Sequence, residues 1–335
     1  MKGMLCISLL FLLSILMTGC TNGEKTETVL EGDGEGIPVE SAENDSKKFS
    51  VEKLPEQQIT DDFKGYSITF TDETSVNDQY QYTFSLSKNE EFKPNISITN
   101  DHEKELDYQI KFFLNDEPIS FQYEGEERKV INLEVPEFSK INLSKLSFDE
   151  IPSGVNNLLI VLFREPNQKI ETKNEYVQGN EMIMIEKATL FVGDDAEYTP
   201  RDIDSKVIDT KKTEKNTYPY ITHNAYDGIT ETIGKFDNNE ELIWLNFNAK
   251  KDCLYYIALF VGSELVELKD SYYKVNEDGL ASLEISSEIK QYDEIENFVA
   301  FIIENPLDLQ VYPNGKLNEN IQPYIQPSNI VTFYP

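Results

Sequence analysis

Leu158-Leu-Ile-Val-Leu-Phe163 places six apolar residues in a row and is followed at once by Arg164-Glu-Pro166. A run this short, ended by proline and preceded by Asn156-Asn157, reads as a β-strand covered on both faces. The same order of residue types returns in Val299-Ala-Phe-Ile-Ile-Glu-Asn-Pro306, which matches Leu159-Ile-Val-Leu-Phe-Arg-Glu-Pro166 at an offset of 140 residues.

Working outward, short apolar runs at 66–71, 80–86, 92–98, 108–114, 119–123, 129–135, 157–163 and 188–192 alternate with polar, turn-forming stretches. Asn95-Ile-Ser-Ile-Thr99 alternates with period two, as a strand with one covered face does. A helical period is visible only at 137–149, which is expected to be a short helix. Four more blocks recur in the same order: 90–92 with 240–242, 108–114 with 255–261, 133–135 with 283–285, and 149–151 with 293–295. Their offsets of 150, 147, 150 and 144 residues drift as loop insertions require, so an internal duplication is expected. The expected fold class is all-β, with two tandem β-sandwich units at 61–198 and 199–335, closed by strands at 188–192 and 330–334. Asn115-Asp-Glu-Pro118 and Gly262-Ser-Glu264 mark equivalent turns, and the junction falls near Tyr198-Thr-Pro-Arg201, with a polar continuation through residue 216. The strand order resembles immunoglobulin-like or fibronectin-type-III-like sandwiches; the resemblance is topological, and the Cys…Trp…Cys arrangement of antibody domains is absent.

The N-terminus has a different character. Lys2 is the only charge before Cys20, and residues 5–17 are apolar apart from Ser8 and Ser14. A positive start, a short apolar run and small residues before a cysteine are the parts of a secretory signal. The run is too short to span a bilayer comfortably as a helix. Met17-Thr-Gly-Cys20 resembles the bacterial lipobox. That resemblance implies cleavage after residue 19, leaving 1–19 as signal peptide, and a diacylglyceryl group on Cys20; two acyl chains anchor stably where one does not. Residues 21–56 carry 10 acidic and 4 basic residues and one aromatic, Phe49, so 20–60 is expected to be a disordered acidic tether.

The whole chain has 61 acidic and 30 basic residues, a formal charge of −31. Such a surface repels nucleic acid and anionic lipid, so a nucleic-acid partner is excluded. With Cys6 in the signal and Cys20 lipidated, Cys253 stands alone in an apolar run and is expected to be a buried, inert thiol.

Catalytic chemistry has few places to reside. The only histidines, His102 in Asn100-Asp-His-Glu-Lys-Glu105 and His223 in Thr222-His-Asn-Ala-Tyr226, lie in no recognisable motif and are expected on surface loops. Two separated histidines and one cysteine do not make a zinc set, and no phosphate-binding glycine loop occurs. The only metal candidate is a calcium site at the junction, from Asp194, Asp195, Glu197, Asp202 and Asp204, whose spacing matches no EF-hand loop. Aromatic residues offer a binding platform instead. Ile243, Leu245 and Phe247 share one face of a strand, so Trp244 points to the other with Leu242 and Asn246; Tyr218, Tyr220, Tyr226, Tyr272 and Tyr273 lie nearby in sequence.

The expected function is that of a non-catalytic, lipid-anchored extracellular protein, a binding, adhesion or envelope-scaffold module for a surface protein or carbohydrate. Its location is the outer face of a cell membrane, suiting a Gram-positive surface. The alternatives are a carboxylate-dependent enzyme acting on polysaccharide or cell wall, and a solute-binding lipoprotein of a transporter, which would require far more helix than these periods allow.

Overall fold

The run 158–163 lies inside an eleven-residue strand, and the architecture follows from what covers its two faces. A computed structural model describes residues 50–54, 66–76, 82–171, 177–193, 201–213, 218–227, 233–237, 242–312, 314–318 and 324–335. In the first half the principal strands are β1 (Ser50–Lys53), β2 (Tyr66–Thr71), β3 (Thr83–Leu86), β4 (Asn95–Asn100), β5 (Leu106–Leu114), β6 (Ile131–Val135), β7 (Ser139–Leu143), β8 (Gly154–Arg164) and β9 (Ile183–Val192). They form two facing sheets, β1-β7-β4-β2 and β3-β9-β8-β5-β6, with β3 parallel to β9 and the other pairings antiparallel.

The second half contains β10 (Lys206–Ile208), β11 (Thr210–Lys211), β12 (Tyr220–Thr222), β13 (Lys235–Asp237), β14 (Trp244–Ala249), β15 (Tyr255–Val261), β16 (Tyr272–Val275), β17 (Gly279–Glu284), β18 (Glu296–Glu304) and β19 (Asn329–Tyr334). Its sheets are β11-β17-β14-β12 and β13-β19-β18-β15-β16-β10. The order follows that of the first half, including a parallel edge pair, β13 with β19. The fold is an all-β sandwich in both halves.

The repeat holds at the level of single hydrogen bonds. Phe113 pairs with Leu159, and Phe260, 147 residues on, pairs with Val299, 140 residues on. Past the ends of β8 and β18, Glu165 and Asn305 both take a positive φ, 48° and 49°, and their N–H groups donate to Asp107 O and Leu254 O. At the other end, Asn115 donates to Asn157 O and Gly262 to Asn297 O, again at positive φ, 51° and 58°.

Alternation then sorts each central strand between two cores. Leu158, Ile160 and Leu162 fill the first sandwich, and Ile257 and Leu259 the second. The opposite faces, Leu159, Val161 and Phe163 against Tyr256, Ala258 and Phe260, form a third apolar cluster between the halves. Phe113 and Phe260 occupy equivalent positions and touch each other, ring centres 5.8 Å apart. Contact between equivalent residues is the mark of two-fold-like, isologous packing. Polar contacts surround this cluster: Lys111 with Glu264, Lys169 with Glu296 at 2.5 Å, the Tyr272 hydroxyl donating to Asp116, and Lys187 Nζ donating to Pro306 O. Burial pushes the Lys187 amine down to about 8, against the pull of Asp308 and Asp116.

Several expectations need correction. Residues 137–149 hold no helix: 139–143 form β7, in which Ile141 and Leu143, two apart, face the core. The expected tether is ordered at its end, where β1 pairs with β7 from Ser50↔Asn142 to Lys53↔Ser139. All four of its side chains are exposed, so backbone pairing holds it in place and composition gives no sign of it. The match of 133–135 with 283–285 fails, because β6 extends the larger sheet beside β5 while Leu283 lies in β17 of the smaller one. Within the polar continuation after residue 201, β10 and β11 add edge strands to the two sheets of the second half.

Candidate binding face

The small sheet of the second half turns Leu245, Phe247 and Ala249 of β14 into its core. Trp244, Asn246 and Asn248 therefore face outward, as period two requires. Cross-strand pairing sets Trp244 between Thr222 of β12 and Glu284 of β17, and Asn246 between Tyr220 and Ser282. Trp244 is half-buried, on the face the sequence assigns to it.

Asn246 is 0 % exposed although it points away from the core, because the segment after β12 folds back over it. Its Oδ1 accepts from the Tyr226 N–H at 2.8 Å and the Ser282 hydroxyl at 2.7 Å. Its Nδ2 donates to Thr222 Oγ1 at 3.0 Å and Asn224 O at 3.1 Å. The amide's hydrogen-bonding capacity is used in full. These bonds hold Tyr226 at φ 56°, a left-handed conformation unfavourable for a bulky residue, with the Lys211 ammonium 4.6 Å from its ring centre. At the ends of the face, Leu242 is 44 % exposed and Tyr218 59 % exposed.

Asn246→Ala leaves the Tyr226 amide and the Thr222 hydroxyl short of their partner inside a covered site, which costs about 2–3 kcal/mol. The expected result is a lower urea midpoint together with faster hydrogen exchange at the Tyr226 amide. Unchanged exchange at Tyr226 would show that the amide does not hold the segment.

The remaining tyrosines belong elsewhere: Tyr273 is in the second core, and Tyr272 lies between the halves, 5.0 Å from the Tyr256 ring. His102 is more constrained than a surface-loop residue. Its Nε2 lies 2.9 Å from Arg164 Nη1, its backbone N–H donates to Asn100 Oδ1, and its carbonyl accepts from Phe138. The Arg164 guanidinium also covers the Tyr66 ring at 5.1 Å. His223 is half-buried, 6.2 Å from the Phe236 ring, in the other half of the chain. Cys253 is half-buried rather than buried; desolvation first, then the Glu304 charge, pushes its thiol above the ordinary value and so suppresses the reactive thiolate.

Cys20, Asp194, Asp195 and Glu197 lie outside the described residues. Asp202 and Asp204 are not brought into a metal cage: among the described residues no three His, Cys, Asp or Glu side chains are placed to hold a metal. No described helix is long and apolar enough to cross a membrane. A cleft between the halves, lined in part by Phe163, Arg164, Asn297 and Val299, encloses about 20 Å³. That is room for a water molecule, far below the roughly 300–1,000 Å³ of a small-molecule site.

No protein-family profile matches the chain, and no curated protein matches it. Among solved structures, red sea bream transglutaminase aligns with 81 % of this chain at 7 % identity and a TM-score of 0.23. The alignment takes in 31 % of the transglutaminase, so this chain spans about a third of its length. The Clostridium thermocellum CbhA fibronectin(III)-like modules align at 10 % identity over 80 % of this chain and 93 % of their own, with a TM-score of 0.17. At these scores neither likeness carries an argument about function, and the sandwich assignment rests on strand pairing.

Proposed function

We propose that the chain is an exported lipoprotein, anchored to the outer face of a cell membrane by lipid on Cys20, and that it acts there as a non-catalytic binding module. The observation that carries this reading is the order Lys2, apolar 5–17, Met17-Thr-Gly-Cys20. A signal of that form delivers the chain across the membrane, and two acyl chains on one cysteine retain it. The acidic segment beginning at residue 21 serves as the spacer between lipid and β1. A formal charge of −31 suits a protein kept soluble outside the cell. The lone Cys253 leaves no disulfide to form, so stability comes from the apolar cores. The binding role is supported by the aromatic outward face around Trp244.

The test is metabolic labelling with radioactive palmitate, followed by detergent phase partition. The expected result is a labelled protein in the detergent phase, and an unlabelled one in the aqueous phase for Cys20→Ser. Label or detergent partition that survives Cys20→Ser overturns the anchor.

A further inference from the structure

We propose that the outward face of the β12–β14 pair binds a neutral, linear polysaccharide through Trp244. The proposal rests on the extracellular binding reading and names the ligand class for it. Three features of the face point to this occupant.

The first is charge. The chain carries −31 overall, yet neither Tyr220–Thr222 nor Trp244–Ala249 contains a charged residue. The charges at the flanks, Lys211 stacked on Tyr226 and exposed Glu284 beside Trp244, are opposite in sign. An anionic polymer is repelled by the surrounding surface, and a cationic partner finds its attraction everywhere except here. An uncharged ligand matches a strip that is itself uncharged.

The second is shape. Leu242, Trp244, Asn246 and Asn248 succeed one another on the outward side over about 20 Å of chain. The surface is open rather than a pocket, as a polymer running along the strands requires.

The third is chemistry held in place beforehand. A sugar ring offers an apolar face and a rim of hydroxyls. Half-buried Trp244 and the Tyr226 ring supply flat apolar surfaces, and Glu284 and Asn248 supply polar groups at the edges. The buried Asn246 amide fixes the segment bearing Tyr226 before any ligand arrives, which lowers the ordering cost of binding.

Trp244 is the sole tryptophan, so its fluorescence reports this face and no other. The experiment titrates the exported chain, purified in detergent, with amylose, cellohexaose, mannan and chitohexaose, and with hyaluronate as the charged control. The expected result is a saturable emission change with at least one neutral polymer and none with hyaluronate. Binding of that polymer, followed by calorimetry, weakens about tenfold in Trp244→Ala, is largely kept in Trp244→Phe, and the melting temperature of both variants is unchanged. No response to any neutral polymer, a response to hyaluronate alone, or full affinity in Trp244→Ala overturns the proposal. None of these outcomes bears on palmitate labelling at Cys20, so the two readings fail separately.

Discussion

Phe260→Ala is expected to cost about 3–5 kcal/mol, a large share of the roughly 5–15 kcal/mol that holds a typical domain folded. The Phe260 ring lies 5.8 Å from Phe113, 5.6 Å from Phe163 and 6.1 Å from Phe301, between two sheets whose backbones are fixed by ladders on either side. Neither sheet can collapse into the space an alanine leaves, so the cavity adds its own cost to the lost transfer energy. Phe113→Ala, at the equivalent position, should behave alike. The double variant should lose less than the sum, because each ring is the other's neighbour. The measurement is urea denaturation followed by Trp244 emission and by circular dichroism. Wild type should show coincident transitions, since the third apolar cluster ties the halves together. A loss below about 1 kcal/mol, or two separate transitions in the wild type, would show that the shared cluster does not couple them.

Glu186→Gln should stabilise the protein, and only above acidic pH. Glu186 stands on β9 opposite Ile160, on the side of the sheet that faces the first core, and desolvation pushes its carboxyl from 4.5 up to about 7. The fold therefore prefers the protonated acid. Its contribution is fully present below pH 4.5, fades as pH rises toward 7, and above that the buried charge is a steady penalty. Each tenfold bias toward the protonated acid is worth about 1.4 kcal/mol, so the penalty approaches about 3 kcal/mol near pH 8. Glutamine has nearly the same shape and no charge, so the variant and wild type should have equal stability near pH 4, with the variant ahead at pH 8. Denaturation midpoints across that range provide the check; parallel curves for the two proteins would mean that Glu186 is not the titrating group.

The residues that chose the strands were readable without coordinates. Tyr66–Thr71 alternates inward and outward as its sequence does, and the split of Trp244 from Leu245 and Phe247 follows from period two alone. Where sequence reading failed, the stabilising interaction left no trace in side-chain type. β1 is exposed on all four residues and is held by backbone hydrogen bonds to β7, which any sequence can make. The 137–149 segment looked helical because Ile141, Leu143 and Leu146 also fit a helical face, and pairing with β4 decides the matter. The candidate face was half legible. Trp244 and Tyr226 were visible as aromatics, whereas the amide that fixes Tyr226 is an ordinary asparagine until the chain folds back over it. His102 beside Arg164 is likewise a meeting of residues 62 positions apart.

By itself the sequence determined that 158–163 and 299–303 are strands with two apolar sides, because consecutive side chains on a strand point opposite ways and every one of these is apolar. It also determined that the two runs are copies of one another. Tertiary structure alone decided what lies against the second side of each: the other copy, with Phe113 on Phe260, and Leu159, Val161 and Phe163 in one cluster with Val299, Phe301 and Ile303. An apolar pattern records that a face must leave water, and that requirement is satisfied equally by any apolar surface. Which surface meets it depends on contacts between residues well over a hundred positions apart, and no local pattern encodes those.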